Sequence, residues 1–350
     1  MKILITSYPF YPSIGGIETV TELLADEFVA LGHTVKVVTM TPSSATDRFP
    51  YEVHRRPPPQ RLLSAIRWCD VVLQNQISLQ FAWPLLLVRR PWVIAQLHPL
   101  GDEVGLSGLA QRLKRAIIRR CRHVVACSRA IAHQLGNDSM TVIPNPYRDR
   151  VFRLIGTGAR DYDLVFLGRL VSDKGLKILL EALALLGKRG VTPSLLILGD
   201  GPERQALESQ CSRLDLSARV HFAGGKSNEE VAALLNRARI MVIPSLVEEG
   251  FGIVALEGIA CGCVIAASRT GGLPEAVGPC GMVLPKGNAE ALAAALHTLL
   301  RDERAISDLR ARAAEHLLRH QPATVAKAYL EILLRAVGPQ GGEPVRSPSH

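Results

Sequence analysis

Short β-branched runs alternate along this chain with longer stretches in which apolar residues recur at helical spacing. Ile3–Thr6, Val35–Thr39, Asp70–Leu73, Trp92–Leu97 and Val124–Ala126 read as strands separated by helices. That alternation predicts βαβ units on a parallel sheet. Thr141–Ile143 closes this first half, because Pro144-Asn145-Pro146 continues neither a helix nor a strand. The pattern restarts at Asp163–Leu167 and runs through Leu195–Leu198, Val220–Phe222, Ile240–Ile243, Val264–Ala267 and Met282–Leu284. Beyond Asn288 the chain reads as helical to Arg335, with a break at Gln321-Pro322. The apolar stripe of Ala323–Ala336 requires burial, which packing back on the first half would supply. The expected fold class is α/β with two Rossmann-like domains, 1–155 and 156–321, a helix 322–337 returning to the first, and a flexible tail 338–350.

Size agrees with this division, since 350 residues exceed the roughly 100–200 that one domain usually holds. Hydrophobic residues at 47% and charged residues at 21% exclude wholesale disorder. The net charge of +9 points to an anionic partner, either nucleotide phosphate or membrane lipid. Nucleic acid is disfavoured, because aromatic residues are only 5% and the basic ones are not interleaved with stacking platforms. Seven scattered cysteines without a CxxC unit argue against a disulfide framework or a zinc site, and Cys261-Gly262-Cys263 reads as packing. A reducing, cytoplasmic setting fits them. Met1-Lys2-Ile3-Leu4-Ile5 runs into a strand without the order of a signal peptide. The apolar run Phe81–Val88 contains Pro84 and falls far short of the ~20 residues that span a bilayer. The expectation is a soluble protein or one peripheral at the inner face of the membrane.

Three loops at strand ends carry candidate chemistry, since ligands of open parallel sheets bind at the C-terminal strand edge. The first strand ends in Tyr8–Gly16, where Gly15 and Gly16 at a helix start let backbone N–H groups approach an anion; the string is not GxGxxG. The first strand of the second half leads into Gly168-Arg169-Leu170-Val171-Ser172-Asp173-Lys174-Gly175. Arg169 and Lys174 are placed there to neutralise a pyrophosphate without a metal, unless the loop is only solvated. Pro244–Glu257 follows a strand and opens a helix, with Glu249 before it, Glu257 inside it, and Gly250 and Gly252 between, which would let backbone amides touch a ligand. Asp161-Tyr162-Asp163 matches a DxD metal signature but precedes its strand at the wrong edge, so no metal site is expected. His98, at the end of a strand, reads as either structural or catalytic. A helix over Leu109–Val124 carries Arg112, Arg115, Arg119 and Arg122 on one face, with Leu113, Ala116, Ile117 and Cys121 opposite. Such a face suits anionic lipid or plain solvent, and Arg120 points into the apolar side in need of a partner.

Taken in order, Gly15-Gly16, His98, Gly168-Arg169…Lys174-Gly175, Leu198-Gly199-Asp200-Gly201-Pro202, Glu249-Gly250-Phe251-Gly252…Glu257 and Gly271-Gly272-Leu273-Pro274-Glu275 resemble the glycosyltransferase family 4 group over nearly the whole chain. The resemblance implies a GT-B fold, two Rossmann-like domains with parallel sheets facing across a central cleft. It also implies a retaining, metal-independent transfer of a hexose from a nucleotide sugar to a glycan or lipid-linked acceptor, with no cofactor. By the same resemblance Arg169 and Lys174 would hold the diphosphate, Glu257 the ribose hydroxyls, and Glu249 with the amides of Gly250, Phe251 and Gly252 the transferred sugar, with Ile253 also at the donor. His98 would lie near the reacting carbon, Gly16 with Gly15 would approach the phosphates, and Gly201 would line the donor site. Pro146, Val264 and Arg269 depart from the family's pattern, which leaves donor preference open. The other readings are a nucleotide-sugar epimerase and a non-catalytic nucleotide-sugar-binding protein.

Overall fold

The computed structural model describes residues 1–43, 48–99, 108–136, 140–156 and 158–338. The expected tail from 339 on lies outside them. The described residues form two parallel sheets. The first contains β1 (Lys2–Ser7), β2 (Thr34–Thr39), β3 (Glu52–Arg55), β4 (Val71–Asn75), β5 (Trp92–Gln96), β6 (His123–Ala126) and β7 (Thr141–Val142), in the order β3-β2-β1-β4-β5-β6-β7. The second contains β8 (Tyr162–Leu167), β9 (Leu195–Leu198), β10 (Val220–Gly224), β11 (Ala238–Ile243), β12 (Val264–Ser268) and β13 (Gly281–Leu284), in the order β10-β9-β8-β11-β12-β13. Each order reverses beside its first strand, the doubly wound arrangement that leaves a crevice at the C-terminal strand ends. The strands β4, β5, β9 and β12 are buried along their whole length, as sheets covered on both faces require.

Helical periodicity supplies those covers. In the first unit the helix Gly16–Ala30 buries Val20, Leu24, Ala25 and Phe28. In the second, Leu176–Lys188 buries Leu176, Leu179, Leu180, Leu183 and Leu186. Each such leucine contributes roughly 1.5–3 kcal/mol, so one Leu→Ala change there opens a cavity costing about 2–5 kcal/mol.

Four features differ from the sequence expectation. The edge strand β3 was not foreseen: its Glu-Val-His-Arg has no apolar run, and it is marked by charge, with Lys36 bridging Glu52 at 2.9 Å. The helical region after Asn288 is four helices, Ala289–Arg301, Glu303–Ala311, Ala313–Leu318 and Pro322–Val337. The helix expected over Leu109–Val124 spans Gly108–Ile118, so Arg119, Arg120 and Arg122 follow it in an exposed turn. Lys114 and Ile117 are buried in it, while Leu113, at 48%, and Ala116 are exposed, which corrects the assignment of Leu113, Ala116 and Arg120 to the apolar side.

The fourth difference concerns the unit boundary. The described residues of Met1–Gln96, Leu100–Ala126 and the stretch from Ala326 to Gly338 form one compact unit, and those of Leu97–Pro99 and Cys127–Val325 form the other. The two-residue β7, last in the first sheet's order, lies past that boundary. Hydrogen bonds explain why the segment after β6 packs with the second unit: Tyr147 N–H donates to His320 O at 3.3 Å, and the His320 ring Nδ1 to Asn145 O at 3.1 Å. No helix among the described residues is long and apolar enough to cross a membrane.

Candidate active site

In the second unit, the loops that leave β8, β9, β11 and β12 gather at one sheet edge. The short turn Ser172–Lys174 after β8 ends on Gly175, whose φ of 68° is left-handed. A Cβ at Gly175 would meet Pro244 O at 1.9 Å, and Leu246 N–H donates to Asp173 O at 2.8 Å. The β8 turn is thereby locked against the loop after β11, its neighbour in the sheet. Lys174 and Glu249 meet across this junction: Nζ lies 2.6 Å from Oε1, and both side chains are largely buried, at 29% and 15% exposed. Ser245, itself buried, donates to the same oxygen. Glu249 Oε2 has no hydrogen-bond partner among the described residues. Arg169 is exposed, and its guanidinium is unpaired among them.

The segment after Glu249 is built from close backbone approaches. A Cβ on Gly250 would lie 1.9 Å from Leu97 O, one on Gly271 1.9 Å from Glu249 O, and one on Gly272 2.3 Å from Gly250 O. Only glycine fits at such crossings. Gly250 O also accepts from Ser128 Oγ at 2.9 Å and from Cys127 Sγ at 3.3 Å. The helix Ile253–Ala260 then starts from Gly252, φ 96°. The backbone N–H groups of Gly250, Phe251, Gly252 and Ile253 find no acceptor among the described residues, so four donors and a helix N-terminus lie beside Glu249. The Phe251 side chain turns inward, 3% exposed, against the His320 ring at 5.5 Å between centroids.

The arrangement agrees with the two family profiles that the chain matches. Glycosyl transferases group 1 covers residues 149–316, and Glycosyltransferase Family 4 covers residues 14–149. The chain belongs to this glycosyltransferase family. It is 32% identical over 235 residues to the GDP-mannose-dependent alpha-(1-6)-phosphatidylinositol monomannoside mannosyltransferase of Mycolicibacterium smegmatis, across 64% of this chain and 59% of that protein. To the glycogen synthase of Mycobacterium tuberculosis it is 32% identical over 249 residues, 66% of this chain and 58% of that one. The chain thus spans less than two thirds of these curated relatives' lengths. Among solved structures, the Anabaena protein Alr3699/HepE in complex with UDP superposes with a TM-score of 0.81 at 22% identity, over 95% of this chain and 99% of that chain. The two parallel sheets are those of the GT-B fold.

In this family 4 chain the remaining expected residues divide into two groups. His98 joins the cluster: Gly250 packs on its backbone, and crowding by protein holds its imidazole below the ordinary value. The Glu249 carboxylate pulls the imidazole back up and the Lys174 ammonium pushes it down. Glu257 lies one turn into the helix, where burial pushes its carboxyl up to about 7 while Arg148 pulls it down. Gly201 is explained by close packing on the loop after β8, since a Cβ there would meet Leu170 O at 2.5 Å. Gly15 and Gly16 belong to the first unit, at the start of Gly16–Ala30. The Glu18 carboxylate folds back there, with Oε2 2.6 Å from where a Gly15 Cβ would stand. Its pKa is raised by burial and partly restored by its own backbone N–H.

Asp161 pairs with Arg237 at 2.6 Å and Asp163 with Arg239 at 3.3 Å, so the DxD string serves ion pairs at the N-terminal end of β8. No group of three His, Cys, Asp or Glu side chains among the described residues could hold a metal ion. Sequence reading missed Ser128, Arg148 and Ser245. None stands in a pattern of its own, although Ser128 before Arg129–Gln134 is a legible helix N-cap, accepting from Ile131 N–H at 3.2 Å.

Proposed function

We propose that this chain is a retaining hexosyltransferase that takes its sugar from a nucleoside diphosphate sugar and passes it to a glycan or lipid-linked hydroxyl without a divalent metal. The observation that carries this reading is the convergence of Arg169, Lys174, Glu249 and four unpaired backbone N–H groups at one sheet edge. The unpaired Arg169 guanidinium and the Lys174 ammonium would take the diphosphate. Lys174 is already anchored on Glu249 Oε1, and its remaining N–H bonds are available for phosphate oxygens. Glu249 Oε2 and the amides of Gly250–Ile253 would then hold the sugar hydroxyls, and Glu257 the ribose.

The proposed transfer makes the new bond on the face that the diphosphate leaves. As the anomeric C–O bond to phosphate breaks, the departing phosphate oxygen takes the proton of the acceptor hydroxyl, and that hydroxyl oxygen bonds the same carbon. The charge that develops on the leaving group is met by fixed cations, and the cationic sugar centre by the neighbouring carboxylate. This is catalysis by positioning and electrostatics. A neutral His98 beside the reacting carbon accepts or donates a hydrogen bond without adding charge.

The M. smegmatis relative is named for GDP-mannose and the Anabaena structure contains UDP, so GDP-mannose and UDP-glucose are the first donors to test. Donor hydrolysis and transfer by the purified protein, with Glu249→Ala and Lys174→Ala alongside and with EDTA present, test the proposal. Turnover that survives both substitutions, or that EDTA abolishes and magnesium restores, would overturn it.

A further inference from the structure

At the opposite end of β5 from His98, where β5 and β6 begin, the first unit opens a cavity of about 410 Å³. Arg89, Arg90, Arg120 and Arg122 line it together with Leu85 and Leu86. All four arginines are exposed, and none forms an ion pair among the described residues. Two of the guanidiniums are held in place by backbone carbonyls: Arg122 Nη1 donates to Ala336 O and Arg90 Nη2 to Arg67 O, each at 2.6 Å. A carbonyl fixes a guanidinium without cancelling its charge, so four like charges line one space suited to an anion. Beside the cavity the turn Trp83–Leu86 and Leu87 present apolar side chains to water, with Trp83 37%, Leu86 49% and Leu87 71% exposed.

We propose that this cavity docks the phosphate headgroup of an anionic membrane lipid. The four arginines would meet the phosphate, and Trp83, Leu86 and Leu87 would sit at the acyl boundary. The apolar rim decides for a lipid over a dissolved phosphate, because a free anion would leave that rim in water. The site is separate from the glycosyl-transfer reading, and no donor is needed to test it.

The test is flotation of the full chain with phosphatidylcholine vesicles, with and without phosphatidylglycerol, beside titration with inorganic pyrophosphate in solution. Wild type is expected to float only with the phosphatidylglycerol vesicles. Each arginine near an anionic surface is worth about fivefold, so Arg89→Ala with Arg120→Ala should weaken partition ~25-fold, and Arg89→Lys with Arg120→Lys should restore most of it. Leu86→Ser with Leu87→Ser should weaken it by at least ~10-fold with all charges in place. Thermal melts that match wild type exclude misfolding as the cause. Equal flotation of the double-alanine variant, equal flotation with pure phosphatidylcholine, or pyrophosphate binding without flotation would each overturn the proposal.

Discussion

The loops that follow β1 and β11 both pass through glycines into a helix, and both keep a carboxylate beside the helix start, yet they are built by different rules. At Gly15 the backbone is extended, φ 177°, and the space where a Cβ would stand is filled by the flexible Glu18 side chain. At Gly250 and Gly271 that space is filled by main-chain carbonyls of Leu97 and Glu249. Glu249 is fixed by two side-chain donors, Lys174 from the β8 turn and Ser245 from its own loop, whereas Glu18 folds onto its own helix. The same residue types therefore make a loop locked by backbone contacts in one unit and a loop padded by a movable side chain in the other.

The largest effect should fall on the fixed carboxylate. Glu249→Ala or Lys174→Ala is expected to lower kcat by about 10²–10³ in a donor-turnover assay. The double variant should lose little more than either single one, because the two side chains act as one unit. Multiplicative losses would mean that the ion pair is incidental.

Backbone contact comes next. Gly250→Ala drives a methyl into Leu97 O and should destabilise the second unit by about 3 kcal/mol in denaturant titration. Gly15→Ala displaces only a side chain and should shift stability by less than about 0.5 kcal/mol. If the two substitutions behaved alike, the contrast between the loops would fail.

Glu257 extends the comparison to pH. Its folded pKa, near 7, stands above the ordinary carboxylate value, so the folded state binds the proton more tightly than the unfolded chain does. Stability is fully present at acid pH and is lost as pH rises from about 4.5 through about 7. Glu257→Gln should remove this slope and be more stable than wild type at pH 8 by about 2 kcal/mol, allowing for its partial exposure. Melting curves across that window check it. The smallest effect is expected at Glu18: Glu18→Gln removes a carboxylate from a helix N-terminus, a change of roughly 0.3–1 kcal/mol in the same melts.

Much of the architecture was legible in the sequence. Alternating runs located twelve of the thirteen strands among the described residues, and the one missed there, β3, is an edge strand whose charged residues give no period to read. The strand-end strings Gly168–Gly175 and Pro244–Glu257 stood out because glycine and charge at a sheet's C-terminal edge have few structural uses. Ser245 and Arg148 were not legible, since a lone serine or arginine in a loop looks like any solvated residue. Likewise, the glycines in those strings suggested amides open to a ligand, and the structure adds a second cause, the packing of backbone on backbone.

Local order in the chain determined which apolar runs become strands, which faces of helices such as Leu176–Lys188 are buried, and that charged loops fall at the C-terminal strand ends. Those properties depend on the spacing of neighbouring residues, which sequence records directly. Only the tertiary structure decided that Lys174 and Glu249, 75 residues apart, share a hydrogen bond, that Arg169 stays unpaired, and that the segment from Cys127 packs with the second unit. Pairing energies depend on distances of a few ångströms between segments remote along the chain, and those distances exist only once the sheet order has set strands such as β8 and β11 side by side.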